Sequence, residues 1–231
     1  MTVASITKHV FVYTYNNMPI PSSIPSNLRA VLFDFDGTLL DSFSGHFAAY
    51  QVTFKHFDLP ASLEDLLRVY SPDWLQVYRA MGLPERCWAE ADAIWLAEAS
   101  RHTPQLFPGA QELLDGLRPR FSLGLVTSGS SERVKRDLER TGLDGRFQVI
   151  ITGGDVCTPK PDPEGLLSAL HALKVTPTQA VFVGDAAADA HMAQAAGVTF
   201  IGMLSQFSGA LPEGDYPRVR SLPELARLFT D

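Results

Sequence analysis

The sequence predicts an α/β fold: a parallel sheet between two layers of helices, with a smaller helical domain inserted near its start. Three observations carry this. Short apolar runs recur at Ala30–Phe33, Leu123–Val126, Val149–Ile151, Ala180–Val183 and Val198–Ile201, as expected of strands buried on both faces of a parallel sheet. Helical patterns separate the runs, the alternation of an α/β core. Between about residues 43 and 109 that alternation stops and no convincing buried strand is found.

Residues 1–28 read as an extension. His9 to Tyr15 has strand composition, Pro19 to Ser26 has that of a linker, and Met18 offers an alternative start. The core is expected over 29–42 and 110–231, and the insertion over 43–109. In the insertion Phe47, Tyr50, Phe54 and Phe57 repeat at helical spacing, as do Trp88, Ala91 and Trp95; such stripes read as its packing core. In the larger domain a helix is expected over Ser131–Thr141, with Val134 and Leu138 one turn apart and Gly142 ending it. Asp162 reads as an N-cap before Pro163, followed by Leu166, Leu170 and Leu173 on one face. Asp189 to Ala196 reads as a short helix closed by Gly197. The expected core is therefore Rossmann-like, with three α/β/α layers.

The bulk properties agree. The chain has 231 residues, 45% hydrophobic and 19% charged, which suits one large domain or one domain carrying a smaller inserted one. A formal net charge of −7 argues against general binding to nucleic acid or a membrane surface, since both are anionic. Cys87 and Cys157 are too few for a disulfide framework and lack metal-ligand spacing, so two reduced thiols and a cytoplasmic location are expected. No apolar run reaches the length of a membrane span, and no signal-peptide pattern is found.

Ligands of open parallel sheets bind beyond the carboxyl ends of the strands. The first run is followed by Asp34-Phe35-Asp36-Gly37-Thr38 and the second by Thr127-Ser128-Gly129. The third leads, past a loop, to Thr158-Pro159-Lys160-Pro161, and the fourth to Gly184-Asp185 with Asp189 one turn on. Carboxylates, a hydroxyl and an ammonium thus share one edge. Carboxylates so placed repel unless a cation joins them, and an all-oxygen donor set favours a hard ion, Mg2+ over zinc.

These four segments, in this order, resemble the four signature motifs of the haloacid dehalogenase-like superfamily, over the chain from about residue 29 to its end. The helical insertion after the first motif resembles the cap of its phosphoglycolate phosphatase and β-phosphoglucomutase branch. The resemblance implies that Asp34 is the nucleophile and forms an aspartyl-phosphate, and that Asp36 is the general acid and base. Magnesium is then held by Asp34, the Asp36 backbone carbonyl and Asp185, with Asp189 counted in the same metal group. Asp189 orients Lys160 or a metal-bound water. Thr127 and nearby N–H groups, with Ser128, bind the phosphoryl oxygens, and Lys160 adds a fixed positive charge. His46, at the expected junction of core and cap, matches a histidine linked to cap closure in the mutase branch and is a candidate substrate contact.

Other residues read as structural. Asp41 is expected to stabilise the local turn, and His191 to lie on the surface. Arg68, Arg79 and Arg86 read as solvated helix charges, one of which could still reach substrate. Ala186 stands where relatives often carry serine, an expected loss of one outer hydrogen bond.

The expected activity is hydrolysis of a small phosphate monoester, a phosphorylated metabolite of phosphoglycolate or sugar-phosphate type. A phosphosugar mutase uses the same nucleophile, but Ser128-Gly129-Ser130-Ser131 follows Thr127 where that branch often has Lys-Asn. Dehalogenases and phosphonate hydrolases of this fold lack the second aspartate, so Asp36 counts against both. A binding protein on this fold would be expected to have lost Asp34, Asp36 or Lys160. Monomer and homodimer both stay open.

Overall fold

The computed structural model describes residues 24–69, 74–204 and 211–230. The expected strand at residues 9–15 lies outside them. The elements run β1 (Ala30–Phe33), β2 (Leu40–Asp41), α1 (Phe43–His56), α2 (Leu63–Val69), α3 (Trp74–Ala80), α4 (Trp88–Ala99), β3 (Gln105–Leu106) and α5 (Ala110–Leu117). There follow β4 (Ser122–Val126), α6 (Ser131–Thr141), β5 (Val149–Ile151), α7 (Glu164–Leu173), β6 (Ala180–Gly184), α8 (Ala187–Ala196), β7 (Thr199–Met203), β8 (Arg218–Val219) and α9 (Leu222–Arg227).

All five expected strands form, in one sheet of order β5-β4-β1-β6-β7-β8 whose neighbours all pair in parallel. β1 lies inside the sheet, with Val31 opposite both Leu123 and Val181. Its four residues are wholly buried because helices cover both faces. Alternation along the strand sorts them. Val31 and Phe33 join Leu113, Leu114 and Leu117 of α5, Val134 and Leu138 of α6, and Leu222 and Leu225 of α9. Ala30 and Leu32 join Leu166, Ala169 and Leu170 of α7 and Ala190, Met192 and Ala193 of α8. These two cores join the sheet to the helical layers on its two faces.

Helix ends follow their local chemistry. α6 spans the expected residues, and Gly142 ends it at φ 71°. α7 starts one residue later than read: Pro163 takes the cap position, while Asp162 Oδ1 still accepts from the Glu164 N–H at 2.9 Å. α8 begins two residues before Asp189, which therefore sits inside its first turn.

Helices α1–α4 fill the region that lacks sheet strands. Tyr50, Phe54, Leu66, Val77, Tyr78, Leu83 and Ala91 form a separate hydrophobic core, with Phe47, Phe57, Trp88 and Trp95 packed against it. Tyr78 meets both Tyr50 and Phe54 edge-on. A feature not read from the sequence brackets these helices: β2 and β3 pair antiparallel, Leu40 opposite Leu106. This two-residue ribbon brings the chain's exit and return together. No helix among the described residues is long and apolar enough to cross a membrane, and Cys87 and Cys157 are free thiols.

Candidate active site

The strand order reverses around β1, which creates a crevice at the carboxyl ends of β1, β4 and β6. Sheet bonding continues one residue past the apolar run, since the Asp34 N–H donates to the Val183 carbonyl at 2.8 Å. This fixes a carboxylate at the edge. The chain then folds back, with Gly37 N–H donating to the Leu40 carbonyl at 2.8 Å and Leu39 N–H to the Phe35 carbonyl at 3.0 Å. Gly37 has φ 80°, and a Cβ there would collide with the Asp185 carboxylate. The position therefore needs glycine for conformation and for room. Beside it Thr38 Oγ1 donates to Asp185 Oδ1 at 3.4 Å.

Lys160 arrives from the loop before α7. Glu164 ties that loop down, accepting from the N–H groups of Cys157 and Thr158 at 2.9 and 2.8 Å. Lys160 Nζ donates to Asp34 Oδ1 at 2.6 Å and to Asp189 Oδ1 at 2.8 Å, and it lies 5.3 Å from the centroid of the Phe182 ring. Asp189 Oδ2 accepts from the Ala186 N–H at 3.1 Å. One carboxylate thus caps α8 and positions the lysine at once. Burial opposes the lysine's charge, but Asp189 and Asp34 outweigh it and raise its pKa.

Asp34, Asp185 and Asp189 can place one carboxylate oxygen each within 4.8 Å of the others. Burial lifts the Asp34 carboxyl well above its ordinary range, Lys160 opposes this, and Asp189 and Asp185 add to it. Asp185 is pushed up to about 7, by burial first and by Asp189 next. Two buried carboxylates and a part-buried third, with one ammonium among them, are short of positive charge. Together with the all-oxygen donor set, this fits a hard divalent cation.

Asp36 points elsewhere. Arg133 of α6 grips both of its carboxylate oxygens, through Nη1 on Oδ1 at 3.0 Å and Nη2 on Oδ2. Burial alone would raise the Asp36 pKa, but the guanidinium overrides it and the net shift is downward. Arg133 Nη1 also reaches Asp137 Oδ2 at 3.3 Å. Room for the guanidinium comes from Gly129, where a Cβ would collide with Nη2.

The remaining candidates divide. Thr127 is buried, and its Oγ1 accepts from the Gly129 N–H at 3.2 Å. Thr127, the exposed Ser128 and Lys160 line one small cavity. His46 lies close enough to Asp36 and Arg133 to feel both charges; burial lowers its pKa, Asp36 pulls the other way and Arg133 adds to the lowering. Its ring centroid is 5.1 Å from that of Trp95. Asp41 accepts from Ser44 Oγ at 3.2 Å, the local turn contact expected of it. In the helical region Arg68 pairs with Glu64 and Asp65, and Arg79 with Glu85. Arg133 and Glu164 were not singled out in the sequence. The signal for Arg133 is faint: Gly129 four residues before it and Asp137 four after.

The family model for haloacid dehalogenase-like hydrolases matches residues 31–203. A phosphoglycolate phosphatase of Salmonella paratyphi A is 34% identical over 205 residues, 77% of this chain and 81% of that protein. Pyrophosphatase PpaX of Listeria monocytogenes is 32% identical over 164 residues, 68% of this chain and 75% of its own. A solved HAD-superfamily hydrolase of subfamily IA, variant 1, from Geobacter sulfurreducens superposes with a TM-score of 0.70 at 30% identity, covering 90% of this chain and 99% of that one. Fold, carboxylate edge and sequence agree, and the chain belongs to the haloacid dehalogenase-like hydrolases.

Proposed function

We propose that this hydrolase is a magnesium-dependent phosphatase acting on a small phosphorylated metabolite through an aspartyl-phosphate on Asp34. One observation carries the reading: Asp34 stands at the sheet edge with Lys160 Nζ 2.6 Å from its Oδ1 and with Asp185 and Asp189 gathered beside it. The ammonium fixes the orientation of the carboxylate and offers positive charge where a phosphoryl group would arrive. Asp34 attacks phosphorus in line, and the bond to the leaving oxygen breaks as the acyl-phosphate bond to Asp34 forms. Asp36, two residues on, gives a proton to that oxygen and then takes one from the water that frees the phosphate. Thr127 and Ser128 hold phosphoryl oxygens.

Asp34, Asp185 and the Asp36 backbone carbonyl would hold magnesium, which when bound offsets repulsion between an anionic nucleophile and an anionic substrate. Asp189 serves chiefly through Lys160. Residues 43–109 act as a cap that covers the leaving group, with His46 at its base. The names of the relatives, phosphoglycolate phosphatase and pyrophosphatase, support a small phosphorylated substrate.

The test is release of inorganic phosphate from a panel holding 2-phosphoglycolate, pyrophosphate, hexose phosphates and nucleoside monophosphates, with magnesium and with chelator. Magnesium-dependent release from a panel member is expected. Isomerisation of β-glucose 1-phosphate without net phosphate release would replace the reading with a mutase.

A further inference from the structure

We propose that Arg133 is a specificity residue that recognises a second anionic group on the substrate's leaving side, and that Asp36 holds that place until substrate arrives. The inference rests on the phosphatase reading and names the substrate class it serves: phosphate esters whose leaving group carries a carboxylate or a second phosphate.

The argument is geometric. A guanidinium presents a planar fork that matches carboxylate and phosphate. Here that fork is closed on both oxygens of Asp36, the carboxylate that must work on the leaving oxygen. The guanidinium therefore sits where the leaving group will lie. With both oxygens engaged, Asp36 is not free to serve that oxygen, so the fork must release it during turnover. A leaving group with its own anion offers Arg133 an equivalent partner, and the exchange frees Asp36 as substrate seats.

Two features fit such an exchange better than a permanent structural pair. Arg133 has a second partner in Asp137, which is itself 5% exposed, so the guanidinium stays compensated when Asp36 departs. Beside His46, Trp95 Nε1 is buried with no hydrogen-bond partner among the described residues. An unpaired buried donor is costly, and a ligand rich in acceptors would satisfy it.

A matched pair of substrates tests this: 2-phosphoglycolate and 2-hydroxyethyl phosphate, which replaces the carboxylate with a neutral hydroxymethyl group. The wild type is expected to favour 2-phosphoglycolate in kcat/KM by about tenfold or more. Arg133→Met should lower that preference ratio about tenfold, chiefly through KM for the anionic ester. Arg133→Lys, which keeps charge but loses the fork, should restore it only in part. Gly129→Ala, which displaces the guanidinium without removing it, should lower the ratio in the same direction. A wild type that treats both esters alike, or an Arg133→Met that slows both equally, overturns the proposal while magnesium-dependent turnover keeps the phosphatase reading intact. No phosphate release from any ester would remove both.

Discussion

Lys160 Nζ lies 2.6 Å from Asp34 Oδ1, across 126 residues of sequence. The contact closes because a loop clamped by Glu164 and a strand end fixed by the Val183 carbonyl meet at one sheet edge. Both side chains are 9% exposed, so each depends on the other for compensation of its charge.

Removal of the lysine is therefore expected to do two things. Lys160→Met leaves Asp34, Asp185 and Asp189 without their ammonium, and in chelator it should destabilise the protein by about 3–5 kcal/mol. Excess magnesium should recover part of that, because a divalent cation answers the same deficit. Urea unfolding with and without magnesium reads both effects. The kcat of the variant should fall by about 10²–10³.

Asp185 sets a pH dependence. Its carboxyl is pushed from 3.8 in the ordinary case to about 7 in the fold. The folded, metal-free protein thus holds this proton more tightly than the unfolded chain does. The associated stabilisation is complete below 3.8, declines as pH rises, and is lost on passing about 7. Magnesium competes with the proton, so the rise in Tm on adding magnesium should grow from about pH 5 to about pH 8 and then level off. Asp185→Asn should abolish most of that rise. A magnesium effect independent of pH over this range would contradict the assignment.

Gly37→Ala should be disproportionately harmful for one methyl group. It forces an alanine to φ 80° and drives Cβ into the Asp185 carboxylate. A destabilisation of about 1–3 kcal/mol is expected from the backbone alone. Weakened magnesium binding should accompany it, measurable by calorimetric titration.

Asp36→Asn separates the two half-reactions. An amide does not act as general acid or base, so overall turnover should fall by about 10²–10⁴. Phosphoenzyme should still form from an aryl phosphate, whose leaving group needs no proton. Stopped-flow release of the phenol should show a burst followed by a slow phase.

The sheet was legible in the sequence because each parallel strand is apolar on both faces, so Ala30–Phe33 announces itself without its partners. The carboxylates were legible because each follows such a run. The β2–β3 ribbon was not, since two residues carry no periodicity and their pairing spans the whole insertion. β8 escaped because its two residues likewise carry no periodicity. Arg133 was hidden by its neighbours: Glu132, Lys135, Arg136 and Glu139 give α6 the look of a solvated helix. What distinguishes Arg133 is the direction of its side chain toward Asp36, and that depends on β1 and α6 meeting in three dimensions. Likewise the double duty of Asp189, capping α8 while holding Lys160, follows from its place in the first turn beside a loop that no local pattern locates.

The central claim is that Asp34 carries the phosphoryl group. The most direct measurement mixes the Asp36→Asn protein with magnesium and an aryl phosphate, quenches in acid, and maps the peptides by mass spectrometry. The account predicts the mass increment of one phosphoryl group on the peptide containing Asp34, and none when Asp34→Asn is added. A phosphoryl group on another residue, or undiminished phosphate release by Asp34→Asn alone, would contradict it.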